Sequence, residues 1–229
     1  MDNTNSFNAK VNFYKLWHVD SEQVDHEKVP GFFVKLDETE PHSAFAKIWP
    51  YLQEYRIHFK DYDQEEEKYD YIGFVSANFL NKFGENSNNV LVDLLNSSSI
   101  YNTDITPIVM SSHDWLNTVE RWHSGMKQYI EKYMEFANID PKFLHIPIPS
   151  CNSFIVKRDL YDKAVNVFRQ NVIKTFENFE YQLSFNSGGY GDIRKGGCLC
   201  ERLWGMTIMS QCSTFNPSIT NVKWGQFIQ

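Results

Sequence analysis

The sequence predicts an α/β fold in which helices flank a mostly parallel central sheet. Short runs of β-branched and aromatic residues, typical of buried strands, alternate with longer segments whose apolar residues recur at helical spacing. The 229 residues contain no internal repeat and no linker rich in Pro, Gly or Ser, so we expect residues 1–229 to form a single domain.

The first part of the chain predicts three strands and one helix. Aromatic and polar residues alternate over 13–19, which indicates a first strand, and 32–36 follows as a short second strand. Residues 43–55 have helical spacing, and Pro50 is expected to bend the helix they form. The clearest buried strand spans 69–76 and ends in a polar turn.

A long amphipathic helix gives the strongest periodic signal in the middle of the chain. It is expected over 114–137, with Ser112 or Asp114 as its N-terminal cap. A short helix at 89–95 and a strand at 105–110 precede it. One apolar stripe runs along the long helix, formed by Trp115, Val119, Trp122, Met126, Tyr129, Ile130, Tyr133 and Ala137.

The last third predicts two strands and two helices. Residues 143–148 and 152–156 are strand-like, and a long helix is expected over 159–179. A Gly-rich loop over 187–197 then leads into a final helix over residues 198–212. Strands and helices therefore alternate to the end of the sequence.

The charge balance argues against broad, non-specific binding to nucleic acid. Lys and Arg number 22 and Asp and Glu number 29, which gives a net charge of −7, and the basic residues form no cluster. A local basic groove is still compatible with this composition.

Three features predict a cytoplasmic protein. No segment approaches the roughly 18–20 consecutive apolar residues that a membrane-spanning helix requires. Residues 1–10 are polar and lack the basic and apolar regions of a signal peptide. Four cysteines over this length are too few for a disulfide scaffold, so a reducing compartment is the simpler interpretation.

The Gly-rich segment and the cysteine pair are weak candidates for ligand sites. Glycines at 188–191 and 196–197 precede a helix, whose N-terminus can bind phosphate, but they match neither the P-loop nor the dinucleotide pattern. A flexible lid or connector is the favoured interpretation. Cys198 and Cys200 are too close for the usual zinc spacing, and we expect them to be buried helix residues.

Carboxylate candidates are Asp61, Asp63 and Glu201. Asp61 and Asp63 form an Asp-x-Asp, a pattern that holds divalent metals, but they lie in an acidic run before the strand, where a solvated loop is the commoner outcome. Glu201 and Arg202 are expected to open the final helix, where a carboxylate is stabilised. A simple cap with surface charge is the alternative for that pair.

Two further polar segments are candidates for the functional site. The turn at 76–78 follows the buried strand, where parallel sheets bind their ligands. Trp122 and His123 lie beside the stripe of the long helix. A single histidine in such a position is more often structural than catalytic.

Several motifs taken together resemble a known family. In chain order they are Ala46-Lys47-Ile48-Trp49-Pro50, Tyr69-Asp70-Tyr71-Ile72-Gly73-Phe74-Val75-Ser76, Trp115 with Glu120-Arg121-Trp122-His123-Ser124-Gly125, Cys151-Asn152-Ser153-Phe154-Ile155-Val156-Lys157-Arg158, and Glu201-Arg202-Leu203. Over about residues 13–210 the sequence resembles GT-A-like glycosyltransferases found among polysaccharide-locus, phage and large-virus proteins. The location implied is the cytoplasm of a bacterium or of an infected host cell.

The resemblance implies a nucleotide-diphospho-sugar transferase domain that uses a UDP-, GDP- or other nucleotide-sugar donor. The donor-binding residues it implies are Asp20, Ser76, Asn78, Asn152 and Arg202. Ser76, Ala77 and Asn78 stand where better-known relatives carry Asp-x-Asp. Dependence on Mn²⁺ or Mg²⁺ is therefore open, with Asp61 and Asp63 as weak metal candidates.

The same resemblance implies a hydroxyl acceptor, in a glycan or another molecule. Glu201 or Asp192 would deprotonate the acceptor hydroxyl as it attacks the anomeric carbon. Trp122 and His123 would lie on the acceptor side.

Three alternatives stay open. The first is the same fold acting on a modified DNA base in a phage. The second is a catalytically inactive module that binds carbohydrate or serves as a scaffold, because the carboxylate pair is missing at 76–78. The third, an unrelated α/β hydrolase or phosphatase, is disfavoured because the sequence has no nucleophile elbow.

Overall fold

The structure, a computed structural model, contains one five-stranded sheet flanked by helices. It describes residues 11–17, 32–36, 45–59, 69–76, 86–97, 100, 102–186, 188–189 and 191–214. The strands lie in the order β2-β1-β3-β5-β4. Their bounds are β1 Val11–Trp17, β2 Phe32–Lys35, β3 Tyr71–Ser76, β4 Ile105–Pro107 and β5 Phe154–Lys157.

Four of the five strands run in the same direction, which confirms the mostly parallel sheet. Strand β1 pairs in parallel with β2 and β3, whereas β5 is antiparallel to both β3 and β4. Phe154, the first residue of β5, pairs with Phe74 near the end of β3. The residues that precede β5 therefore lie at the edge of the sheet where the parallel strands end.

Helices cover both faces of this sheet. Their bounds are α1 Trp49–Leu52, α2 Asn86–Asn96, α3 Trp115–Trp122, α4 Lys127–Ala137, α5 Arg158–Asn178 and α6 Asp192–Ser210, with 3₁₀ segments at Gln53–Phe59 and Pro141–Leu144. Among the residues with described positions, no helix has the length and apolar character needed to cross a bilayer.

The alternation of side chains along the strands divides the core into two clusters. Ile72 and Phe74 of β3 belong to the larger cluster, which contains the buried faces of α4, α5 and α6. Tyr71 and Val75 point to the other face and pack with leucines of α2. This is the two-sided burial expected of a largely parallel sheet.

Most predicted elements are present with ends shifted by no more than three residues. These are the strands expected at 13–19, 32–36, 69–76 and 152–156 and the helices expected at 89–95 and 159–179. Residues 18–20 lie outside the described part of the chain. The strand expected at 105–110 is shorter, since only residues 105–107 pair continuously.

The helix expected over 43–55 is much shorter than predicted. Helix α1 has only four residues, and Pro50 lies in its first turn rather than at a bend. A proline there sacrifices no hydrogen bond, because the first N–H groups of a helix have no partner within it. At Gln53, φ is 48°, so the α-helix ends and a 3₁₀ segment continues.

The single helix expected over 114–137 is two helices. Gly125 has φ 93°, a left-handed value that favours glycine, and the chain breaks there between α3 and α4. The carboxylate of Glu120 accepts hydrogen bonds from the N–H groups of Gly125, at 3.1 Å, and Lys127, at 2.6 Å. Asp114 precedes α3 without capping it through its side chain. Trp122 leaves the stripe and is 52% exposed.

The strand expected over 143–148 is also wrong. A 3₁₀ segment occupies Pro141–Leu144, and Pro149 forms only an isolated bridge with Met110. Prolines 147 and 149 have no N–H to donate to a ladder. Strand β5 begins at Phe154, later than expected, because the chain at 151–152 adopts left-handed φ values.

Helix α6 begins at Asp192, six residues before the expected start, so residues 192–197 are not the loop or lid that was predicted. The glycines in this stretch permit close packing. A Cβ on Gly196 would lie 2.8 Å from the Cα of Tyr51, and one on Gly197 would lie 2.7 Å from the Cδ of Gln53. Further along α6, a Cβ on Gly205 would overlap the carbonyl oxygen of Pro149.

The segment after α6 is fixed to the start of β4 by four residues that we call the C-terminal clasp: Asp104, Lys157, Ser213 and Thr214. The Asp104 carboxylate accepts hydrogen bonds from the Lys157 Nζ at 2.8 Å and from the N–H groups of Ser213 and Thr214 at 2.8 and 3.0 Å. The bond from Lys157 is the main cause that lowers the pKa of Asp104 to about 2.

Replacing Gly196 tests the close approach of α6 to α1. We expect Gly196→Ala to lower the free energy of unfolding by about 1–3 kcal/mol, because the added methyl group meets the backbone of Tyr51. Gly191→Ala is the control, since nothing lies within 4 Å of its Cβ position. Equal losses of stability in the two variants, measured by chemical denaturation, would contradict the packing argument.

The clasp predicts a specific dependence of stability on pH. Because the pKa of Asp104 is below its unfolded value of 3.8, unfolding takes up a proton between these limits, and stability is lost as pH falls. The difference in unfolding free energy between the wild-type protein and Asp104→Asn should be largest above pH 3.8 and shrink towards pH 2. A difference that is unchanged between pH 6 and pH 2.5 would contradict this.

Candidate functional site

A left-handed turn before β5 places two residues at the carboxyl edge of the parallel strands. Cys151 has φ 53° and Asn152 has φ 46°, and both are buried. The carbonyl oxygen of Ser153 accepts hydrogen bonds from the N–H groups of Ile108, at 2.9 Å, and Val109, at 3.2 Å. The turn is therefore held beside the end of β4, at the edge where α/β sheets commonly bind ligands.

Glu201 of α6 reaches this turn. Its Oε1 accepts the N–H of Cys151 at 3.0 Å, and its Oε2 pairs with the guanidinium of Arg202. The side chains of Glu201 and Arg202 are only 16% and 17% exposed. Burial lowers the pKa of the Arg202 guanidinium, but Glu201, together with the nearby Cys198, Tyr55 and Cys151, raises the pKa by more, so the net shift is upward.

The position of Glu201 differs from the expected one. It lies in the middle of α6 rather than at its start, so the N-terminal end of the helix does not stabilise its charge. One backbone N–H and Arg202 do so instead.

Tyr55, in the 3₁₀ segment, belongs to the same group of residues. Burial is the main cause that raises the pKa of its hydroxyl, and the negative charges of Glu54 and Glu201 add to it. Among the described residues, the Tyr55 hydroxyl and the Oε2 of Glu54 have no hydrogen-bond partner, although both atoms are buried. We call Tyr55, Cys151, Asn152, Glu201 and Arg202 the Glu201 cluster.

A buried histidine contacts the Glu201 cluster through Asn152. His58 contacts the Asn152 Oδ1 through Nε2 and the Tyr161 hydroxyl through Nδ1, both at 3.0 Å. Its ring stacks on Trp204 with centroids 3.8 Å apart. Burial lowers the pKa of His58 well below 6.5, and the hydrogen bond with Asn152 opposes that effect only in part. The imidazole is therefore neutral near pH 7.

His123 lies close enough to the cluster to respond to its charges. Burial lowers its pKa, the positive charge of Arg202 lowers it further, and Glu201 opposes both. Its neighbour Trp122 is the more exposed of the two. The C-terminal end of α3 thus borders the Glu201 cluster.

The structure brings some of the predicted site residues together and leaves others apart. Asn152, Glu201 and Arg202 meet in the Glu201 cluster, His123 lies within reach of its charges, and Ser76 ends β3 at the same edge. Asp192 begins α6, about 13 Å from Glu201 along the helix axis, where it is 69% exposed and pairs with Lys195. Asp20, Asn78, Asp61 and Asp63 lie outside the described residues.

Tyr55 and His58 were not predicted from the sequence. Both lie in a 3₁₀ segment, whose period of about three residues is rarely sustained long enough to give a recognisable pattern. The sequence does contain one signal: Arg56 and His58 alternate with the apolar residues of 55–59. So many large apolar residues are unusual in a solvent-exposed loop.

The cysteines of α6 are placed as expected. Cys200 is buried and Cys198 is partly so, and burial raises the pKa of both thiols. Within the described part of the chain, no three His, Cys, Asp or Glu side chains are grouped to hold a metal ion.

Comparison with known proteins gives one informative match. No protein-family model matches the sequence, and no curated protein matches it. Among solved structures, the chain is similar to an apo structure of the bifunctional glycosyltransferase WbbM, with a TM-score of 0.51 and 14% sequence identity. The match covers 88% of this chain and 42% of WbbM, less than half of its length. It confirms the expected glycosyltransferase-like fold.

The unpartnered hydroxyl of Tyr55 predicts an unusual response to mutation. Removing a buried polar group that has no partner relieves its desolvation cost, so Tyr55→Phe should raise the free energy of unfolding by about 1 kcal/mol. Tyr133→Phe is the matched control, because the hydroxyl of Tyr133 bonds with Thr207 in the core. That variant should lose about 1 kcal/mol.

Chemical denaturation of the two variants measures these changes. Equal destabilisation by both substitutions would mean that the Tyr55 hydroxyl has a partner, such as a bound water, in the folded protein.

Proposed function

We propose that the protein transfers a sugar from a nucleotide-sugar donor to a hydroxyl group of an acceptor. A glycosyltransferase-like fold supports this class of reaction. The observation that carries the proposal is the Glu201 carboxylate, held against the turn of Cys151 and Asn152 at the carboxyl edge of the parallel strands.

Glu201 is the proposed base. The acceptor oxygen forms a bond to the anomeric carbon while the bond from that carbon to the diphosphate oxygen breaks. The hydroxyl proton passes to the Glu201 carboxylate, and the bond's electron pair leaves with the nucleotide diphosphate. In the structure its Oε1 accepts the N–H of Cys151 and its Oε2 pairs with Arg202, so the carboxylate is held in place for this transfer.

Asn152 and Arg202 are the proposed donor-binding residues within the cluster. Arg202 supplies a positive charge that would stabilise the departing diphosphate. Asp20, Ser76 and Asn78 complete the proposed donor site. Mn²⁺ or Mg²⁺ stays part of the proposal through Asp61 and Asp63, with the charge of the diphosphate as the reason for a cation.

Trp122 and His123 are proposed to bind the acceptor. The ring of Trp122 is half exposed, and its neighbour responds to the charges of Glu201 and Arg202. A flat aromatic face beside a carboxylate and a cation is suited to the apolar face of a sugar ring.

Thermal stabilisation by nucleotide sugars tests the donor class. A donor present at 100 times its dissociation constant should add about 2.7 kcal/mol to the free energy of unfolding. The panel is UDP-glucose, GDP-mannose, TDP-glucose and CMP-sialic acid, each with and without Mn²⁺. The absence of any shift across the panel would contradict the proposed function.

Replacing Glu201 tests the role of the base. Glu201→Gln keeps an oxygen to accept the Cys151 N–H but cannot take the proton, so turnover should fall by about 10²–10⁴-fold while the donor still stabilises the protein. Glu131→Gln is the control, because Glu131 lies on the exposed face of α4. Normal turnover by Glu201→Gln would exclude Glu201 as the base.

A further inference from the structure

The arrangement of hydrogen atoms between Tyr161, His58 and Asn152 follows from the contacts around His58. The oxygen of the Asn152 amide, which can only accept, lies 3.0 Å from the His58 Nε2. The hydrogen must therefore be on Nε2. Since the imidazole is neutral, Nδ1 is an acceptor, and the Tyr161 hydroxyl at 3.0 Å donates to it.

This arrangement leaves the other end of the Asn152 amide without a partner. Asn152 is 2% exposed, and its Nδ2 has no hydrogen-bond partner among the residues that the structure describes. A buried donor in this state costs about 1–3 kcal/mol unless an acceptor reaches it. The adjacent backbone N–H of Cys151 already donates to Glu201. The side-chain N–H groups of Asn152 therefore still need an oxygen atom as their acceptor.

The packing around His58 prevents the ring from changing its contacts. The ring lies on Trp204, and Phe74 and Phe168 meet it edge-on, with centroids at 5.4 and 6.3 Å. Arg169 donates to the backbone carbonyl of His58. The core thus sets the ring orientation, and it places Nε2 against the Asn152 amide and Nδ1 against Tyr161.

We propose that His58 is a positioning residue that turns the amide of Asn152 so that its N–H groups, and not its carbonyl, face an oxygen atom of the nucleotide-sugar donor. This inference rests on the proposed function. It adds that Asn152 donates a hydrogen bond to the bound nucleotide sugar. The oxygen that accepts this bond belongs either to the sugar or to a phosphate. Free UDP and UDP-glucose distinguish the two, because only the second carries the sugar.

The first test needs no substrate. Two-bond ¹H–¹⁵N correlation spectra of the full-length protein at pH 7 distinguish the two neutral forms of each histidine. We expect His58 to carry its hydrogen on Nε2. A hydrogen on Nδ1 alone would overturn the proposal, because Nε2 would then accept from the Asn152 Nδ2 and the amide oxygen would face the nucleotide sugar.

The second test reverses the polarity of the Asn152 side chain. Asn152→Asp replaces the hydrogen-bond donor Nδ2 with an acceptor oxygen of the same size. The substrate is UDP-glucose, or whichever nucleotide sugar of the panel shifts the melting temperature. We expect its KM to rise at least about tenfold, with a smaller change in kcat. Asn138→Asp is the matched control, since Asn138 also has a left-handed φ of 51° but is exposed. Equal KM values in the two variants would overturn the role of Asn152.

Substitutions of His58 separate positioning from simple core packing. The amide of His58→Gln can still donate to Asn152 and accept from Tyr161, so KM should stay within about threefold of the wild-type value. His58→Phe retains an aromatic ring but not the hydrogen bonds, and its KM should rise like that of Asn152→Asp. The same KM in both His58 variants would overturn the positioning role of His58. If the wild-type protein binds no nucleotide sugar, the proposed function is overturned instead, and the NMR result on His58 is unaffected.

Discussion

The hydrogen bond from the Cys151 N–H to Glu201 is the contact on which the candidate site depends. It joins the middle of α6 to the turn that starts β5, and so brings a carboxylate and a guanidinium to the edge of the sheet. It requires close packing of α6 at two places. Gly196 and Gly197 let the helix approach the segment around Tyr51, and Gly205 lets it approach Pro149. A side chain at Gly196 or Gly205 would meet backbone atoms of the neighbouring segment and displace α6 from it.

The central strand was predictable because a run of β-branched and aromatic residues that ends in a polar turn is typical of a strand buried on both faces. That strand is Tyr71–Ser76. The start of α6 was not predictable for a physical reason. Glycine has a low helix propensity, so two adjacent glycines indicated a loop, whereas in the structure their lack of a side chain allows a helix contact that outweighs the propensity cost. Tertiary packing decided the outcome there.

Three residues that the sequence singled out lie together in the structure, but the sequence did not indicate what holds them there. Glu201, Arg202 and Asn152 do meet, yet Glu201 lies in mid-helix and not at a helix end. The split between α3 and α4 was hidden because the apolar spacing continues across Gly125, and local backbone geometry leaves little trace in such a pattern. His58 was missed because its role depends on contacts with Asn152 and Tyr161, both more than 90 positions away in sequence.

The C-terminal clasp also changes the outer edge of the sheet. Strand β4 is an edge strand, and free N–H groups along such an edge can pair with a strand from another molecule. The carbonyl oxygen of Thr214 accepts from the N–H groups of Asp104 and Ile105, and Pro107 has no N–H to offer. The segment that follows α6 therefore shields this side of the sheet from intermolecular strand pairing.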